Sequence, residues 1–407
     1  MRLKIIAAIG MSVLLGSAHA DPMIVPNTML YGSTPEEGLQ IALDDSLSAN
    51  SNIFSLPSGV NPSGSSTRSS MINTQQADLQ YNKPYGPQNF TLDASFLHNT
   101  FSNFSYLNYD ATNYKGVWSG SIDRDLSLTV GAVQNQTLAN YAYVQTYTKN
   151  IYTTKYSYVN GDWWVTGPWH ALFGISQNRA SYSSAQVTVI QGVKDNSANA
   201  GLSYVSEANN TITLKTQTSH GTYDGMPLNY ANLIDNGYSE QDVMMDVNWA
   251  LSGKSTLTGE LKHVSVSHDH FSQRDFGGLG GNVDYQWAFS GNAAISFTAN
   301  RTVGQYLTVY SSYAVIDDFA ISPVWQVSPK LTLNLTLDRK VFNYAGYSTG
   351  AQFAQHDAMQ TEVVGASWTV TRKIALSTSL QHMSRNSNVY YYQFAGTSLN
   401  VVAQISF

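Results

Sequence analysis

The densest grouping of chemically able side chains in the chain is His268-Asp269-His270-Phe271-Ser272-Gln273-Arg274-Asp275, with two imidazoles and two carboxylates in one short segment. Imidazole and carboxylate at that spacing fit a divalent cation. They fit better a solvated loop or a hydrogen-bonded cluster at the rim of a barrel. Ser, His and Asp are all present, but no Gly-x-Ser-x-Gly elbow and no His-Glu-x-x-His occurs, so hydrolysis has no motif behind it and no catalytic residue is assigned. The absence of Cys removes thiol catalysis and thiolate metal sites. No cofactor and no resident metal is expected. A second set of charges, Asp93, Lys115, Lys215, Asp246, Glu260, Lys262, Asp284 and Asp338, sits on the polar side of runs that alternate apolar and polar residues. Opposite charges there either pair across strands to hold a wall or guide a charged solute along it.

What positions these charges is a repeated strand. After a tight turn, Leu331, Leu333, Leu335 and Leu337 alternate with Thr332, Asn334, Thr336 and Asp338, which is a two-faced strand of period two. One phrase is written four times around such turns: Trp249-Ala-Leu-Ser-Gly-Lys254, Trp287-Ala-Phe-Ser-Gly-Asn292, Trp325-Gln-Val-Ser-Pro-Lys330 and Trp368-Thr-Val-Thr-Arg-Lys373. A period near forty residues suits either a propeller blade or a pair of long barrel strands. Runs of about ten residues or more cross a bilayer at a tilt and are too long for four per repeat, which favours the barrel. The polar-side charges then belong in its lumen, because a basic residue facing lipid at mid-depth costs about 2–4 kcal/mol.

Composition agrees. Only 12 % of the 407 residues are charged, about half the usual share for a soluble protein, and no long apolar run compensates. The formal charge is −6, and −8 once Arg2 and Lys4 leave with a leader, which argues against nucleic acid as a partner. Residues 1–20 have the form of a secretory signal peptide, with Arg2 and Lys4, an apolar stretch and Ala18-His19-Ala20. Residues 21–38, with Pro22, Pro26 and Pro35, are expected to be an irregular periplasmic segment, and 39–407 the barrel.

Strand starts are expected near Leu39, Arg68, Gln88, Asn108, Leu126, Ile151, Trp169, Val193, Thr211, Glu240, Ser255, Gly277, Ala293, Ser311, Lys330, Asp357, Lys373 and Thr397. This gives an all-β, antiparallel transmembrane barrel of about 18 strands, 16 to 18, in the bacterial outer membrane. Connections after even strands are short and those after odd strands long and polar, the outer-membrane pattern, which puts both termini in the periplasm. Trp118, Trp163, Trp164, Trp169, Trp249, Trp287, Trp325 and Trp368 all fall near the short-turn end, as an interfacial girdle would. Tyrosines such as Tyr141, Tyr143, Tyr147 and Tyr390 to Tyr392 gather at the other end. In the last strand Leu399, Val401, Ala403, Ile405 and Phe407 share one face, the form of a signal to the barrel assembly machinery.

Several phrases resemble a known family. Asn82-Lys-Pro-Tyr-Gly-Pro-Gln-Asn-Phe-Thr-Leu-Asp-Ala-Ser95, Asn103-Phe-Ser-Tyr-Leu-Asn-Tyr109, Ile234-Asp-Asn-Gly-Tyr-Ser-Glu240, His268 to Phe276 and Ser322-Pro-Val-Trp-Gln-Val327 are similar to EpsL-like outer-membrane barrels of exosortase-associated exopolysaccharide loci. The His268 to Phe276 phrase is the most specific of these. The resemblance implies a passive export pore for an exopolysaccharide, partnered by outer-membrane lipid and by periplasmic copolymerase or export components. Composition and periodicity alone indicate a barrel, and two other roles fit it: an uptake porin for small solutes, and a structural barrel whose loops attach extracellular matrix.

Overall fold

The computed structural model describes residues 37–143, 147–184, 192–306, 311–346 and 355–407. The leader and nearly all of the 21–38 segment lie outside them. Eighteen strands follow in order: β1 (Gly38–Asn50), β2 (Ser70–Tyr85), β3 (Gln88–Phe101), β4 (Tyr109–Ser121), β5 (Leu126–Leu138), β6 (Ile151–Thr166), β7 (Trp169–Tyr182), β8 (Val193–Val205), β9 (Thr211–Tyr223), β10 (Gly237–Ser252), β11 (Ser255–His268), β12 (Phe276–Trp287), β13 (Ala293–Gln305), β14 (Tyr313–Ser328), β15 (Leu331–Ala345), β16 (His356–Thr369), β17 (Ile374–Ser387) and β18 (Phe394–Ser406). Each is antiparallel to its sequence neighbours, and β1 also pairs with β18, from Ala42 opposite Ser406 to Asn50 opposite Ser398. The sheet is closed and has no free edge. Short turns and long connections alternate as expected, so β1 begins and β18 ends at the short-turn end.

The expected starts agree within three residues. The largest offsets are at β10, expected at Glu240 and found at Gly237, and at β18, expected at Thr397 and found at Phe394. Both have one cause. Near the long connections the polar face turns apolar, with Tyr238 and Phe394 buried on it, and the alternation that marks a strand fades there.

Register defines the two faces. Along β10, Val243 and Met245 are 56 % and 41 % exposed, whereas Asp242 and Met244 between them are 2 % and 5 % exposed. The exposed apolar row continues through Leu214 of β9 and Leu261 of β11 and forms the outer surface. Contacts that span the barrel start from the other face: Tyr223 of β9 donates its hydroxyl to Gln305 of β13, and Arg385 of β17 reaches residue 142 beyond β5. That face is the inner one. A closed antiparallel barrel with an apolar outer band and a polar interior is an outer-membrane β-barrel, and the bacterial outer membrane is where this chain resides.

One seam is irregular. β12 pairs with β11 over its whole length but with β13 only from Gly281 to Trp287. Gly281 has φ +149°, and a Cβ there would sit 2.1 Å from the Glu260 carbonyl. At Gly280 a Cβ would meet the Arg301 carbonyl at 2.8 Å. Glycine thus lets the end of β13 pass against β12 instead of pairing with it, and Val303 packs in an apolar cluster with Val264, Val266 and Phe276.

Candidate functional site

The inner face of β9 to β11 carries the tightest charge constellation. Thr213, Lys215 and Gln217 on β9 face Asp246, Met244 and Asp242 on β10, which in turn face Glu260, Lys262 and Val264 on β11. Lys215 Nζ lies 2.7 Å from Asp246 and 4.0 Å from Glu260, and Lys262 Nζ lies 3.5 Å from Asp242. Four of the eight sequence candidates therefore meet in one place. Asp93 of β3 and Lys115 of β4 stand directly opposite each other on the same inner face. Asp284 of β12 accepts a hydrogen bond from Thr298 at 2.8 Å, and Asp338 lies on β15, opposite Ala320 and Thr361.

Sequence reasoning missed part of this wall. Glu240 and Asp242 share the parity of Asp246, a signal that was available along β10. Asp44, Asp78, Asp195, Asp318 and Asp357 are further inner-face carboxylates, while Lys340, 3.3 Å from Asp318, and Arg385 are the further cations. The inner face therefore holds a clear excess of carboxylates over ammonium and guanidinium groups.

At the long-loop end, connections fold inward over this wall. Ile53, Phe54 and Leu56 from the β1–β2 connection pack with Phe101, Phe104, Leu107, Leu138 and Tyr141. From the β5–β6 connection, Ala142 reaches Phe342, Met359 and Phe394 on β15, β16 and β18. Arg385 fixes that reach: its Nη1 donates to the Ala142 carbonyl at 2.5 Å, its Nη2 pairs with Asp357, and its guanidinium lies 4.9 Å from the Tyr392 ring. A third cluster joins Tyr152, Tyr182, Tyr223 and Tyr238 with Met226. These four tyrosines turn inward and are buried, so they belong neither to an outer girdle nor to a solvated loop.

The His268 to Asp275 segment is a knot that ties loops together. Asp235, whose side chain is fully buried, accepts hydrogen bonds from the backbone N–H groups of His270 (2.6 Å), Phe271 (3.1 Å) and Asn236 (2.8 Å), and lies 3.0 Å from His270 Nδ1. Burial pushes the Asp235 carboxyl up, but the bonds from His270, Asn236 and Gly237 outweigh it and hold the group below the ordinary carboxylate range. Arg274, 0 % exposed, donates to the carbonyls of Leu233 (3.1 Å), Asn232 (2.7 Å) and Ser311 (3.0 Å). Asp275 accepts from the His268 N–H at 2.7 Å, and Asp269 sends its N–H to the Gly237 carbonyl. Two phrases distant in sequence, at 234–240 and 268–276, thus form one unit. No group of three metal-ligating side chains is found among the described residues. The same turn is built at Phe101 to Tyr109, where the Phe101 N–H donates to Asn108 Oδ1 at 2.8 Å.

All eight Trp lie in or next to the short-turn ends of even strands and at the start of β7, and Trp163, Trp169, Trp287, Trp325 and Trp368 are exposed on the outer surface. Leu399, Val401, Ala403, Ile405 and Phe407 are exposed along one face of β18, beside Leu43 and Leu47 of β1.

No protein-family profile and no curated protein matches the chain. Solved structures do. OpdQ of Pseudomonas aeruginosa covers 91 % of this chain and 97 % of its own at 11 % identity, with a TM-score of 0.50. OpdK of the same organism covers 91 % and 99 % at 12 % identity and a TM-score of 0.49, and the siderophore receptor PirA covers 92 % and 81 % at 9 % identity and 0.44. At these identities the likeness is one of fold, that of an outer-membrane barrel.

Proposed function

We propose that this protein is an outer-membrane channel for small polar solutes, with its long connections outside the cell, its short turns and termini in the periplasm, and a preference for cationic or neutral solutes. The observation that carries the reading is the inner wall. Its charges are set in pairs along β9 to β11, β3–β4 and β14–β15, with carboxylates in excess. Many weak contacts of this kind let a solute enter and leave, whereas one strong site would retain it. The eight candidates from Asp93 to Asp338 are taken as lumen-lining residues, the Trp row as the periplasmic interface girdle, and the 399–407 face as the assembly signal. Inward-folded connections favour small solutes over a polymer, since buried apolar contacts at the mouth must separate before a chain could thread it.

Passage of an exopolysaccharide, with copolymerase partners at the Trp end, is the second reading. It is supported by the EpsL-like phrases, of which 234–240 and 268–276 meet at Asp235. The two readings part in one experiment. In a strain lacking the protein, the channel reading expects unchanged secreted glycan and slowed uptake of small cations; a fall in secreted glycan with periplasmic build-up favours export.

A further inference from the structure

Three outward-facing cations stand side by side at the long-loop end. Lys155 of β6 is directly opposite Arg179 of β7, and Arg179 is directly opposite Lys194 of β8. Their parity is the outer one: Phe173 and Ile175, on the same face of β7, are 43 % and 61 % exposed, as is Leu202 of β8 at 57 %. Like charges directly opposite each other in a ladder destabilise it. Only Arg179 has a counter-charge, with Nη2 2.6 Å from Asp224, and that pair is itself half exposed. Among the described residues neither lysine ammonium has an ion-pair or hydrogen-bond partner.

Depth gives the row its meaning. Ten residues of β7 separate Trp169 from Arg179. At about 3.3 Å per residue and a tilt near 40° this is about 25 Å along the membrane normal, the height of the apolar band of an outer-membrane barrel. With Trp169 at one interface, the three cations lie at the other, at headgroup level. Adjacent strands are about 4.8 Å apart, so the three heads span about 10 Å, the breadth of one lipid headgroup.

We propose that Lys155, Arg179 and Lys194 form a binding site for the phosphate groups of an outer-leaflet glycolipid. Arg179 supplies a planar donor pair and the lysines compact charges on either side, the combination that phosphate oxygens accept. The uncompensated cations are satisfied by the membrane. The choice of glycolipid over phospholipid rests on the orientation adopted above, with long connections outside.

The test uses purified full-length protein in detergent and native mass spectrometry with three probes: diphosphorylated lipid A, the same lipid after phosphatase treatment, and phosphatidylglycerol. Each cation near an anionic headgroup contributes about fivefold to affinity, so K155Q/R179Q/K194Q is expected to weaken lipid A binding by at least about tenfold. Phosphatase treatment should weaken binding to the wild type similarly and barely affect the variant. R124Q/K254Q/K330Q, which removes three cations at the short-turn end, should bind as the wild type does. Heat-modifiable migration verifies that every variant is folded. Equal losses in both triple variants, or no dependence on lipid phosphate, overturn the site. Phosphatidylglycerol binding as tight as lipid A overturns the outer-leaflet assignment. Neither result bears on conductance, so the site can fail without the channel reading failing.

Discussion

Replacing Arg385 probes the inward connection most sharply. Its guanidinium and the Asp357 carboxylate are 2 % and 0 % exposed, and the same guanidinium donates to the Ala142 carbonyl. Arg385→Met alone leaves a buried, unpaired carboxylate, at a cost of about 3–5 kcal/mol, and is expected to lower the folded fraction. Arg385→Met with Asp357→Leu removes both charges at similar volume, which leaves the wall nearly neutral in stability. What the double variant still lacks is the charged donor to Ala142, worth about 1.5–3 kcal/mol. Undocking of the 139–143 chain should therefore become about 10- to 150-fold more frequent, at 1.4 kcal/mol per tenfold. In planar bilayers the double variant should show more frequent excursions to a larger conductance than the wild type, with heat-modifiable folding unchanged. Traces indistinguishable from wild type would refute the idea that Arg385 holds the connection across the mouth.

Three more outcomes are expected. Replacing Trp249, Trp287, Trp325 and Trp368 together with Ser should impair membrane assembly, read by heat-modifiable migration, more than replacing the exposed Tyr106, Tyr147, Tyr390 and Tyr391; equal effects count against the girdle. Because hydrogen bonds hold the Asp235 carboxyl below its ordinary range, its contribution to the loop knot is complete above about pH 4 and is lost as pH falls through the lowered value. Limited proteolysis of the 224–236 connection should thus be flat from pH 7 to about 5 and rise only in stronger acid, whereas Asp235→Ala should be cleaved readily throughout. Gly281→Val places a side chain against the Glu260 carbonyl at a backbone angle of +149°, and should lower the yield of folded barrel where Gly253→Ala, with open space around it, does not.

Most of the fold was legible because a barrel strand writes its two environments into alternate residues. Leu331 to Asp338 is unambiguous, and so are the turns at Gly253-Lys254, Gly291-Asn292 and Pro329-Lys330. Legibility failed where the inner face stops being polar. Tyr152, Tyr182, Tyr223, Val264 and Val266 face inward yet are apolar, because connections folded over them bury them. Nothing local marks that burial as a set, since the connection residues packed with them, Ala139 and Met226, come from the β5–β6 and β9–β10 connections, distant in sequence from most of the residues they cover. The wall charges divided in the same way. Lys215, Asp246, Glu260 and Lys262 could be placed on one face by parity, but their meeting depends on cross-strand register, which sequence left open. The His268 to Asp275 segment was noticed for its chemistry, yet its partner Asp235 lies 35 residues away from His270, and only the paired β9–β10 and β11–β12 connections bring them together.

The reversal potential of the purified barrel in planar bilayers under a salt gradient tests the channel function most directly. The barrel should conduct ions and prefer cations, because carboxylates outnumber cations on its inner wall, with the preference reduced when Asp246 and Glu260 become Asn and Gln. A folded barrel that does not conduct, or one that prefers anions and is indifferent to those two substitutions, would contradict that function.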